Sequence, residues 1–432
     1  MIPNPTIMRT VEHLGYRVTV GDVAAQAGLD VNQAQQGLLA LASEAGGHLQ
    51  VAESGDIVYL FPKNFRTVLR NKYWRLRLQD WWGKIWRVLF YLIRISFGIV
   101  LVISIALIYL AIILIVVAAS ASRGEGQDSG DGGYMPNFWF SPDFFWFFYP
   151  SYYDRPYNRR RSSSDEKPSM NFLEAIFSFL FGDGNPNLDL EERRWKAIGT
   201  VIRNNQGAIA AEQIAPYLDS IGEGYVQEYE EYMLPVLTRF DGRPEVSPEG
   251  DIVYHFPELQ TTTVEQRFQP VSAYLKEFPW RFSQASAGQV ILAIGLGGVN
   301  LIGALALGKL LAGGVAAAQL GGLVAFVQAI YWVLLGYGAA FLLIPLIRYF
   351  WVQWRNQKIA ARNEVRQERA VQLNQAESRL EQKLNYARKF AAQTIIDTED
   401  LAYTTERGLM EQEVEQADQI DAEWQRRLDR GY

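Results

Sequence analysis

No cysteine occurs anywhere in the 432-residue chain. Its absence excludes disulfides, thiolate catalysis and cysteine-ligated zinc or iron–sulfur sites in the isolated protein. Histidine is scarce too, and His13, His48 and His255 are too scattered to suggest a metal site. No serine, histidine and carboxylate constellation, phosphate-binding glycine loop or paired-carboxylate motif stands out, so the sequence predicts neither an enzyme nor a bound cofactor or metal. The N-terminus lacks the basic-then-apolar pattern of a secretory signal, which predicts a first domain that stays in the cytoplasm. Proline is missing from residues 355–432, and that stretch is free to run as helix.

What the chain does have is an uneven spread of apolar residues. They make up 49% of the sequence but concentrate in residues 81–121 and 288–352. Residues 95–119 carry no charge, and a spanning helix needs about 20 such residues. Ahead of that run lie eight cations from Arg66 to Arg94, offset by Asp80 alone. Tryptophans interleave with them, making Trp81, Trp82, Trp86 and Arg87 candidate membrane-interface residues. Their place beside a span fits a lipid surface better than nucleic acid. The second block reads as a glycine-rich helical hairpin broken near Gly313-Gly314, its small residues letting backbones approach closely. Lys309 is its candidate intramembrane polar residue, and the nearby turn favours an interfacial position for it. Between the blocks, residues 134–153 are dense in aromatic rings but interrupted by Pro136, Pro142 and Pro150. That pattern suits an interface or a partner's pocket better than a regular span. A polar linker follows at 155–167.

The most informative feature is an internal repeat: GDIVYLFP at 55–62 returns as GDIVYHFP at 250–257. At the same offset of 195, Val31 aligns with Val226, Leu39 with Leu234, Gly47 with Gly242 and Val51 with Val246,. In the first copy, residues 6–14, 20–27 and 31–45 read as helices, and 49–52 with 57–61 as a hairpin. In the second, helices are expected at 191–204, 211–218 and 225–240, with a hairpin over 244–256. Three helices followed by a hairpin resemble the winged-helix arrangement, which often binds DNA through its third helix and neutralises phosphates with Lys and Arg. Here residues 31–45 contain neither, and residues 225–240 carry Glu228, Glu230 and Glu231. Residues 183–260 hold 15 acidic and 6 basic side chains, and residues 1–65 hold 6 and 3. Such surfaces repel a polyanion. Protein docking is therefore expected over nucleic acid, with Glu228, Glu230 and Glu231 as candidate partner-binding residues.

The tail is polar and charge-divided, net +5 over residues 353–389 and −7 over 390–432. It is expected to form one long helix or two, with a narrow stripe through Val365, Leu373, Leu380 and Leu384 that allows coiled-coil-like pairing. Basic clusters before the first span, in the linker and after the last span all favour the cytoplasmic side. Placing them there requires the chain to return through the membrane between residues 119 and 155, or the first block to double back.

These readings give a mainly α integral membrane protein with two winged-helix-like α+β repeats, three transmembrane helices with room for a fourth, and a long C-terminal helix. The expected divisions are repeat 1 at 1–65, a basic–aromatic interfacial helix at 66–94, a transmembrane helix at 95–121 and an aromatic, glycine-rich interfacial region with linker at 122–182. Repeat 2 follows at 183–260, a connector at 261–287, the transmembrane hairpin at 288–352 and the tail at 353–432.

FGDGNPN at 181–187, followed by EERRWKAIG at 191–199 and combined with the GDIVYxFP pair, resembles a family of cyanobacterial and chloroplast membrane proteins along the whole chain. The resemblance implies a multi-pass protein of a cyanobacterial plasma or thylakoid membrane, or of the plastid envelope in plants. Plant members carry the loose label of iron–sulfur cluster biosynthesis family protein. Without cysteine this chain cannot hold a cluster by thiolates, so the label implies at most assistance to other proteins. The expected function is a membrane-anchored adaptor or assembly factor, bound to lipid and to protein partners, with homo-oligomers allowed. The alternatives are a transporter or channel subunit built on the hairpin with Lys309, and a membrane-bound transcription regulator.

Overall fold

The computed structural model describes residues 4–72, 74–121, 170–223, 229–265, 268–312, 320–375, 378–414, 417 and 424–425. Glu228, Gly313-Gly314, the aromatic stretch at 134–153 and the linker at 155–167 lie outside the described residues. The chain divides into two compact units. The first comprises Met1–Asp80, Pro186–Pro279 and Lys358–Tyr432; the second comprises Trp81–Asn185 and Trp280–Gln357.

The first unit opens with the helix Pro5–His13, started by the Asn4 side chain accepting from the Thr6 amide. Strand β1, Arg17–Thr19, runs into the helix Val20–Ala27, where Thr19 and Asp22 form a reciprocal capping box and Gly28 ends the helix at φ 66°. This supplies partners for amides that a helix start leaves orphaned. The third helix, Val31–Ala45, buries Val31, Ala34, Leu38, Leu41 and Ala45 at helical spacing,. Strands β2 (His48–Ala52) and β3 (Ile57–Leu60) follow.

The second segment of this unit has a similar order, with 3-10 turns where the first has its second helix. The helix Leu190–Asn204 leads to β4 (Ala208–Ile209), two 3-10 turns, the helix Leu234–Phe240, and strands β5 (Arg243–Val246) and β6 (Ile252–His255). Sheet order matches as well: β1-β3-β2 in one segment and β4-β6-β5 in the other. Register agrees at the offset read from sequence, since Val51 pairs with Ile57 as Val246 pairs with Ile252. Gly47 lies against the Phe61 ring, and Gly242 lies against Phe256, so close that a Cβ at either would collide.

Three expectations need correction. Residues 211–218 are not one α-helix but the 3-10 turns Ala211–Gln213 and Ala215–Tyr217; Pro216 lacks an amide donor, which disfavours a continuous α-helix. Within residues 225–240 the described α-helix is Leu234–Phe240, preceded by a 3-10 turn and by Glu230 in the left-handed region at φ 53°. The tail is not purely helical. Beyond the helices Tyr331–Asn374 and Ser378–Ala387 it forms β8 (Thr394–Ile395) and β9 (Leu401–Thr404). β9 pairs antiparallel with β2 and extends the first sheet to β1-β3-β2-β9. β8 pairs in parallel with β7 (Thr261–Thr262).

One hydrophobic core runs through the repeat segments, including Val23, Leu38, Leu41 and Tyr59 from the first and Ile198, Ile202, Phe240 and Phe256 from the second. The helices Val20–Ala27 and Leu190–Asn204 meet through small residues: Gly199 lies against Ala25, and Gly28 against Trp195. Buried Asp22 ties the contact, accepting from Arg203 and from the Thr262 hydroxyl.

Among the described residues of the second unit, three helices are long and apolar enough to cross a membrane: the stretch Trp81–Ser120 of the helix Trp74–Ala121, the helix Ala287–Leu311, and the helix Tyr331–Asn374. The shorter helices Phe172–Phe181 and Gly322–Ala329 pack with them. Glycines set the closeness. On Ala287–Leu311, Gly297 receives Phe341, Gly303 receives Ile108 and Tyr109, and Gly308 receives Tyr331, the small-residue packing expected of helices in lipid.

Candidate functional site

In the first unit, the tail is held by a charged clamp. Arg366, only 1% exposed, donates to the Leu275 carbonyl at 3.0 Å, pairs with Glu277 at 2.9 Å and pairs with Asp219. Arg362 forms a two-pronged bond to the same Glu277 at 2.8 and 2.6 Å, and Arg194 binds Asp219 at 2.6 Å. Asn363 adds two bonds to the backbone of Glu277, one in each direction. Burial pushes the carboxyls of Glu277 and Asp219 up, but the arginine hydrogen bonds and charges outweigh it and hold both below the ordinary carboxylate range,.

A second cluster lies farther along the tail. Lys383 is buried between Glu212, at 2.9 Å, and Glu230, which also accepts from the Tyr254 hydroxyl at 2.9 Å. Burial, with the neighbouring Glu212 charge, raises the Glu230 carboxyl above its ordinary range despite Lys383. Burial and the Glu230 charge likewise push the Tyr254 and Tyr232 hydroxyls upward. The Tyr217 hydroxyl, pushed up to about 12 by burial, donates to the Ser272 carbonyl at 2.6 Å. A cavity of about 150 Å³ nearby is lined by Val201, Gln213, Tyr217, Ala273, Ala370, Leu373 and Asn374.

These groups are engaged with one another, so the arrangement fastens a strap. No three His, Asp or Glu side chains among the described residues converge to hold a metal ion. Of the acids singled out by sequence, Glu230 faces inward onto Lys383 and Tyr254, whereas Glu231 is exposed. The third helices of both repeat segments present open faces. On Val31–Ala45 the exposed residues include Asn32, Gln33, Gln35, Gln36 and Leu39, the last 53% exposed. On Leu234–Phe240, Leu234 is 59% exposed, and Arg239 is spent on the Gly28 carbonyl and the Trp195 ring.

In the second unit, the FGDG turn forms a polar knot. Asp183 accepts from Arg94, from the Ser178 hydroxyl and from the Gln284 amide, the last at 2.9 Å. Arg348 donates to the carbonyls of Ser178, Phe179 and Phe282, capping the end of Phe172–Phe181, where helix carbonyls lack partners. Deeper in the bundle, Asn300 donates to the Ser104 hydroxyl at 2.7 Å, both buried. Sequence reading missed this pair. Lys309 is exposed in the last turn of Ala287–Leu311. Trp81, Trp82, Trp86 and Arg87 are all exposed along their helix.

The knot also fixes where the chain enters and leaves this unit. Arg94, early in the first long helix, meets Asp183; Gln289, at the start of the second, donates to the Met170 carbonyl at 2.7 Å. The Trp280 amide donates to the Asn356 side chain, late in the third, and the Trp280 carbonyl accepts from it. Trp81, Asn185, Trp280 and Gln357 therefore all lie at the same end of the three-helix unit.

No protein-family model matches the chain, and no solved structure matches it. It is 40% identical over 437 aligned positions to an uncharacterized chloroplastic protein of Arabidopsis thaliana, covering 98% of this chain and 81% of that protein. The plant protein's description bears no iron–sulfur designation. With identity of that level sustained along nearly its whole length, the chain belongs to the family of this chloroplastic plant protein.

Proposed function

We propose that the protein is a membrane-anchored adaptor or assembly factor of a photosynthetic cell or plastid. In this reading its second unit spans the bilayer, and its first unit, two winged-helix-like modules strapped by the tail, docks other proteins. The observation that carries it is the pair Leu39 and Leu234. They stand at equivalent positions on the two third helices, each more than half exposed, on faces where no free cation awaits a phosphate. A DNA-reading third helix needs Lys or Arg for affinity; an exposed leucine amid uncharged or acidic residues fits a protein surface.

The proposed orientation rests on the shared end of the second unit. Trp81, Asn185, Trp280 and Gln357, the ends of the second unit's segments, lie together in this reading toward one face of the membrane. Among the described residues, that end holds Lys84, Arg87, Arg94, Arg281, Arg348 and Arg355, against Lys309 toward the other, a bias that supports a cytoplasmic or stromal face. The described part of the helix Trp74–Ala121 leads away from this end, and Met170 lies at it.

The test uses the cysteine-free background. Single cysteines at Ser43, Thr238 and Glu413 are labelled by an impermeant maleimide from one face of sealed vesicles, and one at Lys309 from the other. Photo-crosslinking residues at Leu39 and Leu234 in native membranes give discrete protein adducts. Labelling of the three head positions from opposite faces refutes the orientation. Salt-sensitive duplex DNA binding that depends on the third helices, with no protein adducts, refutes the docking role.

A further inference from the structure

We infer that the cation-bearing end of the second unit is a binding collar for anionic lipid headgroups; this rests on the reading of that unit as membrane-spanning. The reference level is the layer where Arg94 meets Asp183 and Arg348 caps Phe172–Phe181. Arg87 lies seven residues outward from Arg94 on one helix, and Arg355 seven residues outward from Arg348 on another that runs the opposite way. At 1.5 Å per residue both stand about 10 Å beyond the layer. Tryptophans fill the same zone: Trp86 and Trp354 are 53% exposed and Trp351 is 40% exposed.

The Arg355 guanidinium sits over two indoles at once, 5.0 Å from the Trp280 ring and 5.3 Å from the Trp351 ring, and those rings meet edge to face. Indoles favour the headgroup level, so this stack fixes a positive charge where lipid phosphates lie. Lys84, Arg87, Arg281 and Arg355 are exposed, and among the described residues none has a carboxylate partner. The contrast lies on a single helix. Arg362 and Arg366, two and three turns beyond Arg355, are both paired with acids. A neutral headgroup leaves the collar's charges uncompensated. An anionic one supplies the counter-charge, at about fivefold in affinity per cation near the surface.

The full-length chain is extracted in mild detergent with equimolar phosphatidylglycerol and phosphatidylcholine, and retained lipids are counted by native mass spectrometry. The wild type retains phosphatidylglycerol with a preference of about tenfold or more. R87Q/R281Q/R355Q together abolish the preference, while R355K keeps part of it and K309Q leaves it intact. These side chains are exposed, and intact folding is checked by the elution profile of each variant. Equal retention of both lipids by the wild type, an unchanged preference in the triple variant, or an equal loss in K309Q overturns the inference. So does loss of a co-purifying acidic protein with lipid preference unchanged. Release of the intact chain by alkaline carbonate is a separate failure, that of the membrane-spanning reading itself.

Discussion

Replacing Arg366 by methionine keeps an unbranched apolar stem in a site only 1% exposed and removes the guanidinium that joins Glu277, Asp219 and the Leu275 carbonyl. Removing one partner of a buried pair costs about 3–5 kcal/mol because the remaining charge is stranded. Here the stranding is incomplete: Glu277 keeps Arg362 and Asp219 keeps Arg194, each at 2.6 Å. The Arg366 Nε, buried without an acceptor, disappears with the substitution and offsets a little more. The expected loss is therefore at the low end, about 3 kcal/mol, or about a hundredfold in the opening equilibrium of the strap. Amide hydrogen exchange on the full chain in detergent micelles reads it directly, since protection reports local opening. Amides of residues 362–374, of Ser378–Ala387 and of β9 exchange about a hundredfold faster, while those of Ala287–Leu311 keep their rate. Tail exchange within about threefold of the wild type would show that apolar packing alone holds the strap, and the clamp argument would fall.

The same clamp has a pH dependence of known sign. Glu277 and Asp219 titrate below the ordinary range when folded, so their stabilisation is complete above the unfolded value near pH 4 and fades as pH falls through the lowered folded values; tail protection that drops between pH 8 and 6 contradicts this. Gly242→Ala drives a Cβ into the Phe256 ring and Leu237 and costs about 1–3 kcal/mol, and Gly47→Ala, meeting Phe61 at 2.9 Å, costs less; thermal melts that rank them in reverse refute the contact reading. Asn300→Leu removes the bond to Ser104 and lowers helix-bundle stability by at most about 2 kcal/mol, measured by heat-induced aggregation in detergent. Leu234→Glu leaves the melting temperature within about 2 °C, because the side chain is exposed, yet erases the protein adducts formed from a crosslinker at Leu39.

Long-range order separates what could be read in the sequence from what could not. The first apolar block reads as a helix because 25 uncharged residues leave a backbone in lipid no other solution. The GDIVY strands read as hairpins because alternation and the Glu53–Asp56 turn are local signals, and Val51 pairs with Ile57 across that turn. The strands of the tail carry no such signal. Thr394–Ile395 and Leu401–Thr404 are strands because β7 and β2 present open edges to them, a tertiary cause invisible in a four-residue window. The clamp is hidden for the same reason: Arg366 is one cation among many in a polar tail, and Asp219 is 147 residues away. Glu230 illustrates the reverse error. Its place in an acidic run suggests a solvated, partner-facing charge, but the left-handed backbone at φ 53° turns it inward onto Lys383.

The tail's choice of sheet has a cause in the two strand edges open to it. The outer edges of β2 and β5 are equivalent, yet β9 adds to β2. On β2, Leu49 offers both an amide and a carbonyl outward; the amide donates to the Thr405 hydroxyl at 2.8 Å, and the carbonyl accepts from the Thr405 amide at 2.9 Å. On β5 the equivalent residue is Pro244, paired to Tyr254 as Leu49 is paired to Tyr59. Proline has no amide to give, and a strand edge carrying it is a poor template for another strand. The next outward carbonyl, that of Val246, already accepts from the Tyr386 hydroxyl at 3.2 Å. One edge is thus left competent and the other blunted by a single residue type. The same tail helix that supplies Tyr386 also supplies Lys383 to Glu212 and Glu230. The tail helix Ser378–Ala387 thus reaches the second segment through side chains, while β9 joins the first by strand pairing at the edge that Leu49 leaves competent.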